Sequence, residues 1–263
     1  MRYLAIGAHP DDCDLIFGGT ALKLIASGHE VMFVSVTDGR MGHHIMTPDE
    51  TVARRTLEAK DAGKAFGLVD YKVLNHPDGD LIPTLEIRKE LIGIIRMFAP
   101  DMVLSHRTCD YHPDHRATGQ LATDATFLIG VPHYCREYPI PENRPVFAFA
   151  YDGFTHPEPF RIDAAVDISD VIDRKLAAAD KHVSQFYEWL PFDMKISCPD
   201  AETSSLDERI AYLKKYFSDR DRKVAALANK SGLQAGEFAE VFELSEYGRQ
   251  VSVEEFRQML AGK

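Results

Sequence analysis

The fold is decided by residues 7–19, which read GAHPDDCDLIFGG. An apolar run from Tyr3 to Ile6 leads into this stretch, and apolar residues with helical spacing (Ala21, Leu22, Leu24, Ile25) follow it. We therefore predict a strand that delivers His9, Asp11 and Asp12 to the end of a sheet, followed by a helix. Open α/β sheets collect their functional groups at such strand ends.

Strands and helices alternate through the first part of the chain. We predict strands at 2–7, 29–37, 69–74, 101–105 and 146–151, and helices at 15–28, 47–66, 83–98 and from His115 to about Leu128. This alternation with short links predicts an α/β fold, a Rossmann-like three-layer and mostly parallel sheet with strand order 3-2-1-4-5.

The second part of the chain is less regular. We predict a short strand at 166–169, a helix at 171–187, an irregular linker at 191–205, a helix at 206–229, a strand at 240–245 and a helix at 253–260. Residues 1–190 are expected to form the catalytic α/β domain. Residues 191–263 are expected to form an α-rich C-terminal extension, packed on the same domain or used as a subunit contact.

Composition excludes several classes of partner. A net charge of −11 over 263 residues argues against nucleic acid or an anionic membrane surface as the partner. The four cysteines form no CxxC pair, which favours free thiols in a reducing compartment. No apolar run reaches membrane-spanning length and none at the start resembles a leader, so a cytoplasmic location is expected.

A second polar cluster, His112-Pro113-Asp114-His115, follows the fourth strand. In the predicted order strands one and four are neighbours, so both clusters should meet in one crevice. Two histidines and a carboxylate would make an open metal site, suited to zinc or to Fe(II). A second carboxylate there could act as the base, and a remaining histidine, if protonated and held by Asp114, could stabilise an oxyanion. The set predicts a metal-dependent hydrolase of an amide or ester.

These motifs together resemble the LmbE-like, or PIG-L, family of zinc-dependent de-N-acetylases. The resemblance rests on the two polar clusters and on Thr37-Asp38-Gly39, Arg55 with Glu58-Ala59, Asp78-Gly79, Asp110-Tyr111 and the late His182 with Ser184-Gln185. It covers roughly residues 1–187. Cys13 departs from it, since many members carry Glu directly after the Asp pair, and this departure bears on substrate choice.

The resemblance implies a role for each matching residue. It implies that His9, Asp12 and His115 bind one Zn²⁺ per chain and that Asp11 is the general base. It further implies that His112 is the oxyanion-stabilising acid, that Asp114 supports His112, and that Arg55 contacts the substrate or charge near the metal. Arg54 is an alternative to Arg55. The expected substrate is a small acylated amino sugar or its conjugate, and a homo-oligomer is expected from relatives.

Two alternatives to this function stay open. The chain could be a zinc hydrolase of a different amide or sugar conjugate, or a catalytically silent metal-containing binding protein.

Two groups near the polar clusters are assigned structural roles. His106 is read as a packed core residue rather than as a support for the ligands, and Asp78-Gly79 as a turn at the rim of the crevice.

Overall fold

A seven-stranded mixed sheet runs through the protein, which is described from residue 1 to residue 263 by a computed structural model. Its strands are β1 (Arg2–Gly7), β2 (Glu30–Thr37), β3 (Asp70–His76), β4 (Met102–Ser105), β5 (Val146–Ala150), β6 (Ala164–Asp167) and β7 (Ala239–Gly248). Their order is β3-β2-β1-β4-β5-β7-β6. The first five are parallel, and β7 runs antiparallel to both β5 and β6. The predicted mostly parallel α/β sheet is confirmed, and two strands extend its predicted order.

Helices cover both faces of the sheet. They are α1 (Asp12–Ala26), α2 (Pro48–Phe66), α3 (Leu85–Phe98), α4 (Pro113–Leu128), α5 (Ile172–Ala179), a π-helix (Ser184–Trp189), α6 (Leu190–Met194), α7 (Leu206–Phe217), α8 (Asp219–Lys230) and α9 (Val253–Leu260). None of these helices combines the length with the apolar character that a membrane-spanning helix requires.

Alternation along β1 shows how the core is divided. Tyr3 and Ala5 face the layer that contains α1, α2 and α5, whereas Leu4 and Ile6 face the layer of α3 and α4. Because β1 is central and buried on both faces, it reads as a continuous apolar run.

Local signals account for the helix boundaries. Thr47 and Glu50 form a capping box at the start of α2, and Gly67 ends that helix in the left-handed conformation at φ 84°. Helix α1 begins three residues before the predicted start, so that Asp12 and Asp14 lie at the positive end of its dipole.

Two long predicted helices are wrong as single elements. The predicted helix 206–229 is divided at Ser218, which leaves helical geometry and whose hydroxyl donates to the Lys214 carbonyl. The predicted helix 171–187 gives way after α5 to the π-helix at Ser184. The extension also contributes more than helices, because its one strand, β7, lies between β5 and β6.

Candidate active site

The site lies where β1 and β4 pair, with Ile6 beside Ser105. His9, Asp11 and Asp12 follow β1, and the cluster around His112 and His115 follows β4. The structure thus brings together two stretches that are about a hundred residues apart in the chain, at the switch point of the sheet.

Two histidines converge on one carboxylate oxygen. His9 Nδ1 lies 3.3 Å and His115 Nε2 lies 3.5 Å from Asp12 Oδ2. The backbone N–H groups of Ala8 and His9 also donate to this oxygen, at 2.9 and 2.8 Å, and hold the carboxylate in place. Nitrogen and oxygen donors in this arrangement fit zinc or Fe(II) and leave room for further ligands.

The charges in this cluster shift the pKa values of its members. Burial favours a neutral Asp12, but the charges of His115 and His9 outweigh it and bring the pKa of Asp12 well below its usual range. Burial opposes protonation of His115, but the charge of Asp12 and the hydrogen bond that His115 donates to Asp110 raise its pKa. Protons therefore compete with a metal cation for these imidazoles. The Asp12 carboxylate stays ionised and attracts such a cation.

His106 belongs to this cluster, which corrects its interpretation as a packed core residue. Its Nε2 lies 3.3 Å from Asp12 Oδ2 and 3.2 Å from the amide nitrogen of Ala8. Its ring stacks on that of His115, with centroids 4.2 Å apart. The sequence signal was its position immediately after β4, level with the residues that follow β1.

Asp110 is a further member to which the sequence assigned no individual role. One carboxylate oxygen lies 3.2 Å from His115 Nδ1, and the other accepts the backbone N–H of His112 at 2.9 Å. A carboxylate on the far nitrogen of a metal-binding imidazole fixes its tautomer and its orientation.

Asp11 is buried beside Arg55. Arg55 Nη2 lies 3.3 Å from Asp11 Oδ2, and its Nη1 donates to the Gly39 carbonyl. Burial raises the pKa of Asp11, and the Arg55 charge only partly opposes this. Of the two adjacent arginines it is Arg55 that reaches the site, because Arg54 pairs with Glu58 and Glu188.

His112 is held as a hydrogen-bond donor to the cavity. The backbone N–H of Asp114 donates to His112 Nδ1 at 3.2 Å, which places the proton of the neutral ring on Nε2. Burial lowers the pKa of His112, and the nearby His9 and His115 lower it further. The neutral tautomer can therefore donate to an oxygen without being protonated first.

The Asp114 carboxylate does not hold His112, contrary to the expected contact. It accepts the N–H groups of Gly79 and Leu81 and lies 3.3 Å from His9 Nε2. Asp78 lies 3.2 Å from the same nitrogen, so it contacts the site as well as shaping the turn. The two loop N–H groups draw the Asp114 carboxylate toward the β3–α3 loop.

The late motif supports the site from behind. His182 Nε2 lies 3.0 Å from Asp14 Oδ1, where both side chains are fully buried. Ser184 donates to Glu58 through both its backbone N–H and its hydroxyl, and Gln185 donates to the carbonyl of Gly42. The motif therefore ties α1, α2 and the loop after β2 together.

A cavity of about 330 Å³ opens beside His9, Asp11 and His112. His9, Asp11, Arg55, Asp78 and His112 form its polar wall. Its other walls include Leu15, Met41, Tyr111, Trp189 and Leu190. One polar wall facing several apolar side chains is typical of a site for a small organic molecule.

This chain is similar to known proteins in sequence and in fold. The family model described as "PIG-L: GlcNAc-PI de-N-acetylase" matches residues 4–126. The diacetylchitobiose deacetylase of Thermococcus kodakarensis is 36% identical over 205 residues, covering 73% of this chain and 74% of the relative. The probable N-acetyl-alpha-D-glucosaminyl L-malate deacetylase 2 of Bacillus anthracis is 28% identical over 196 residues, covering 70% of this chain and 80% of the relative.

Among solved structures, the N,N'-diacetylchitobiose deacetylase of Pyrococcus horikoshii, complexed with its inhibitor MPG, superposes with a TM-score of 0.71. It is 28% identical, and the match covers 93% of this chain and 83% of that one.

Proposed function

Because the chain belongs to the PIG-L (LmbE-like) family of de-N-acetylases, we propose that it removes the acetyl group from an N-acetyl amino sugar or its conjugate by zinc-dependent hydrolysis. The observation that carries this proposal is the convergence of His9 and His115 on Asp12, next to the buried base Asp11. The same cavity holds His112 as a donor.

His9, Asp12 and His115 would hold the metal, with His106 and Asp110 behind them. Zinc, when bound there, would polarise the acetyl oxygen and lower the pKa of water toward about 7. Fe(II) is the other metal that suits this donor set.

The remaining steps belong to the side chains. Asp11 takes a proton from the attacking water, and its raised pKa suits it to hold that proton and pass it to the leaving amine. The His112 Nε2–H donates to the oxygen that becomes negative as the carbonyl carbon turns tetrahedral. Arg55 keeps the carboxylate of Asp11 oriented. The amide and one water thereby become acetate and a free amine.

The size of the cavity supports an amino sugar as the group that enters it. Its volume of about 330 Å³ is at the lower end for small-molecule sites, enough for one sugar ring with its acetamido group. The relatives named above act on diacetylchitobiose and on an N-acetylglucosaminyl malate. We propose a substrate of this class for the present chain, and a cytoplasmic location in keeping with its four free cysteines.

The test combines elemental analysis of protein purified without chelator with acetate release from N-acetylglucosamine conjugates and from simple acyl amides. We expect about one zinc per chain and release from the sugar conjugates. Release from simple amides alone would replace the sugar with another substrate. Zinc and tight sugar binding without release would indicate a silent binding protein, and protein that takes up no metal would overturn the proposal.

The Asp110→Asn variant tests the metal assignment separately from activity. Because Asp110 orients His115 through Nδ1, we expect its loss to weaken zinc binding by about 10–100-fold. Competition with a chromogenic chelator measures this affinity directly. Asp70→Asn, on the exposed edge strand β3, is the matched control, and equal zinc affinities for the two variants would contradict the assignment.

A further inference from the structure

A second cavity of about 490 Å³ lies beside the first. His106, Asp110 and His115 form the wall toward Asp12 and the other proposed metal ligands, and Tyr111 lines both cavities. Tyr111 is 71% exposed and its ring lies 6.0 Å from that of Phe154, at the border between the two. A molecule whose acetamido group lies in the first cavity can therefore extend past Tyr111 into the second.

The carboxylates of this second cavity are already engaged. Arg107 binds both oxygens of Asp152, each at 2.5 Å, and also donates to the carbonyls of Phe154 and Glu158. The carboxylate of Asp110 lies 3.2 Å from Nδ1 of His115. These pairs leave little uncompensated negative charge on the inner walls.

Two cations on the first turns of α8 are not engaged in this way. Arg220 donates to the carbonyl of Tyr151 and lies over the ring of that residue, but neither Arg220 nor Lys223 forms an ion pair. Asp219 also lines this cavity, but its carboxylate is exposed and lies 3.5 Å from Nη1 of Arg222. Because its three lining carboxylates are paired with Arg107, His115 and Arg222, the positive charges of Arg220 and Lys223 stay without an ion-pair partner, in a chain whose net charge is −11.

We propose that the second cavity binds an oxyanion, a carboxylate or a phosphate, carried by the part of the substrate beyond the deacetylated sugar. Arg220 and Lys223 bind the anion, and the rings of Tyr111, Tyr151 and Phe154 cover the adjoining apolar part. Cations set in partly closed walls concentrate anions locally even on an acidic protein. This inference rests on the proposed function and specifies the substrate class of the same site.

The experiment compares three substrates: diacetylchitobiose, which is neutral, N-acetylglucosaminyl malate, and N-acetylglucosamine 1-phosphate. The measured quantity is the ratio of kcat/KM for each anionic substrate to that for the neutral one. In Lys223→Gln we expect this ratio to fall about tenfold through KM, as for the loss of one charge-assisted hydrogen bond. Added salt should lower the wild-type ratio in the same direction.

Lys230→Gln is the matched control, because it removes the same charge from the last turn of the same helix, outside the cavity. The ratio that falls in Lys223→Gln identifies the carboxylate or the phosphate as the recognised group. Equal ratios in Lys223→Gln, Lys230→Gln and wild type overturn the inference. If the wild type releases no acetate from any substrate, the proposed function fails. Calorimetric binding of the two anionic compounds to wild type and Lys223→Gln then decides the inference by itself.

Discussion

Replacing Asp11 with asparagine is expected to reduce acetate release by about 10²–10⁴-fold while the zinc content of the protein stays at the wild-type level. The side chain keeps its size, but an amide cannot accept the proton of the attacking water. Asp11 is not one of the proposed ligands, because the two histidines converge on Asp12 instead. The substitution should therefore leave metal binding intact. Initial rates on diacetylchitobiose, paired with elemental analysis of the same sample, measure both quantities.

Two further measurements separate this effect from a change in folding. Asp11→Asn leaves Arg55 without its carboxylate partner, so thermal unfolding of the variant should be recorded beside its activity. Asp49→Asn, an exposed acid in the first turn of α2, is the control and should retain wild-type rates. Turnover close to wild type in a zinc-loaded Asp11→Asn protein would remove Asp11 from the role of base.

The parallel part of the sheet could be predicted because its order follows from local alternation. Each of the first five strands carries its own apolar run, and short links restrict where the next strand can pair. The insertion of β7 between β5 and β6 could not be predicted in this way. It depends on a chain return of some seventy residues, from β6 (Ala164–Asp167) to β7 (Ala239–Gly248), and no local pattern encodes that distance.

The site shows the same division. The residues around His9 and His112 stand out because polar groups directly follow apolar strands. The roles of His106 and Asp110 become evident only from their side-chain contacts to Asp12 and His115, which strand order alone does not specify. The Asp114 carboxylate is directed by the N–H groups of Gly79 and Leu81, which belong to a loop whose approach is a matter of tertiary packing.

Replacing Lys175 with methionine is expected to lower the free energy of unfolding by about 3–5 kcal/mol, the usual effect of removing one partner of a buried ion pair. Lys175 is 1% exposed, and its ammonium lies 2.8 Å from Asp221 and 2.9 Å from Glu240. It also donates to the Leu15 carbonyl at 2.8 Å. Methionine would leave two buried carboxylates facing each other without a cation. Urea unfolding measures the difference, with the exposed Lys181→Met as the control.

The pH dependence of this loss distinguishes electrostatics from packing. Burial already raises the pKa of Asp221 even with Lys175 present, and losing the cation should raise it further. When a carboxyl has a higher pKa in the folded than in the unfolded state, the free energy of unfolding of the protein rises as the pH falls through that pKa. The deficit of Lys175→Met should therefore shrink on acidification, whereas a pure packing defect would persist.

The same ion cluster connects the C-terminal segment to helix α1. Asp221 lies on α8 and Glu240 on β7, and Glu240 also accepts the N–H groups of Gly19 and Thr20 in α1. Since α1 begins at Asp12, residues 191–263 support the helix that carries a proposed metal ligand. We therefore propose that 1–190 and 191–263 unfold together. A single transition that shifts as a whole in Lys175→Met is the expected result, and two separate transitions would show that the segments are independent.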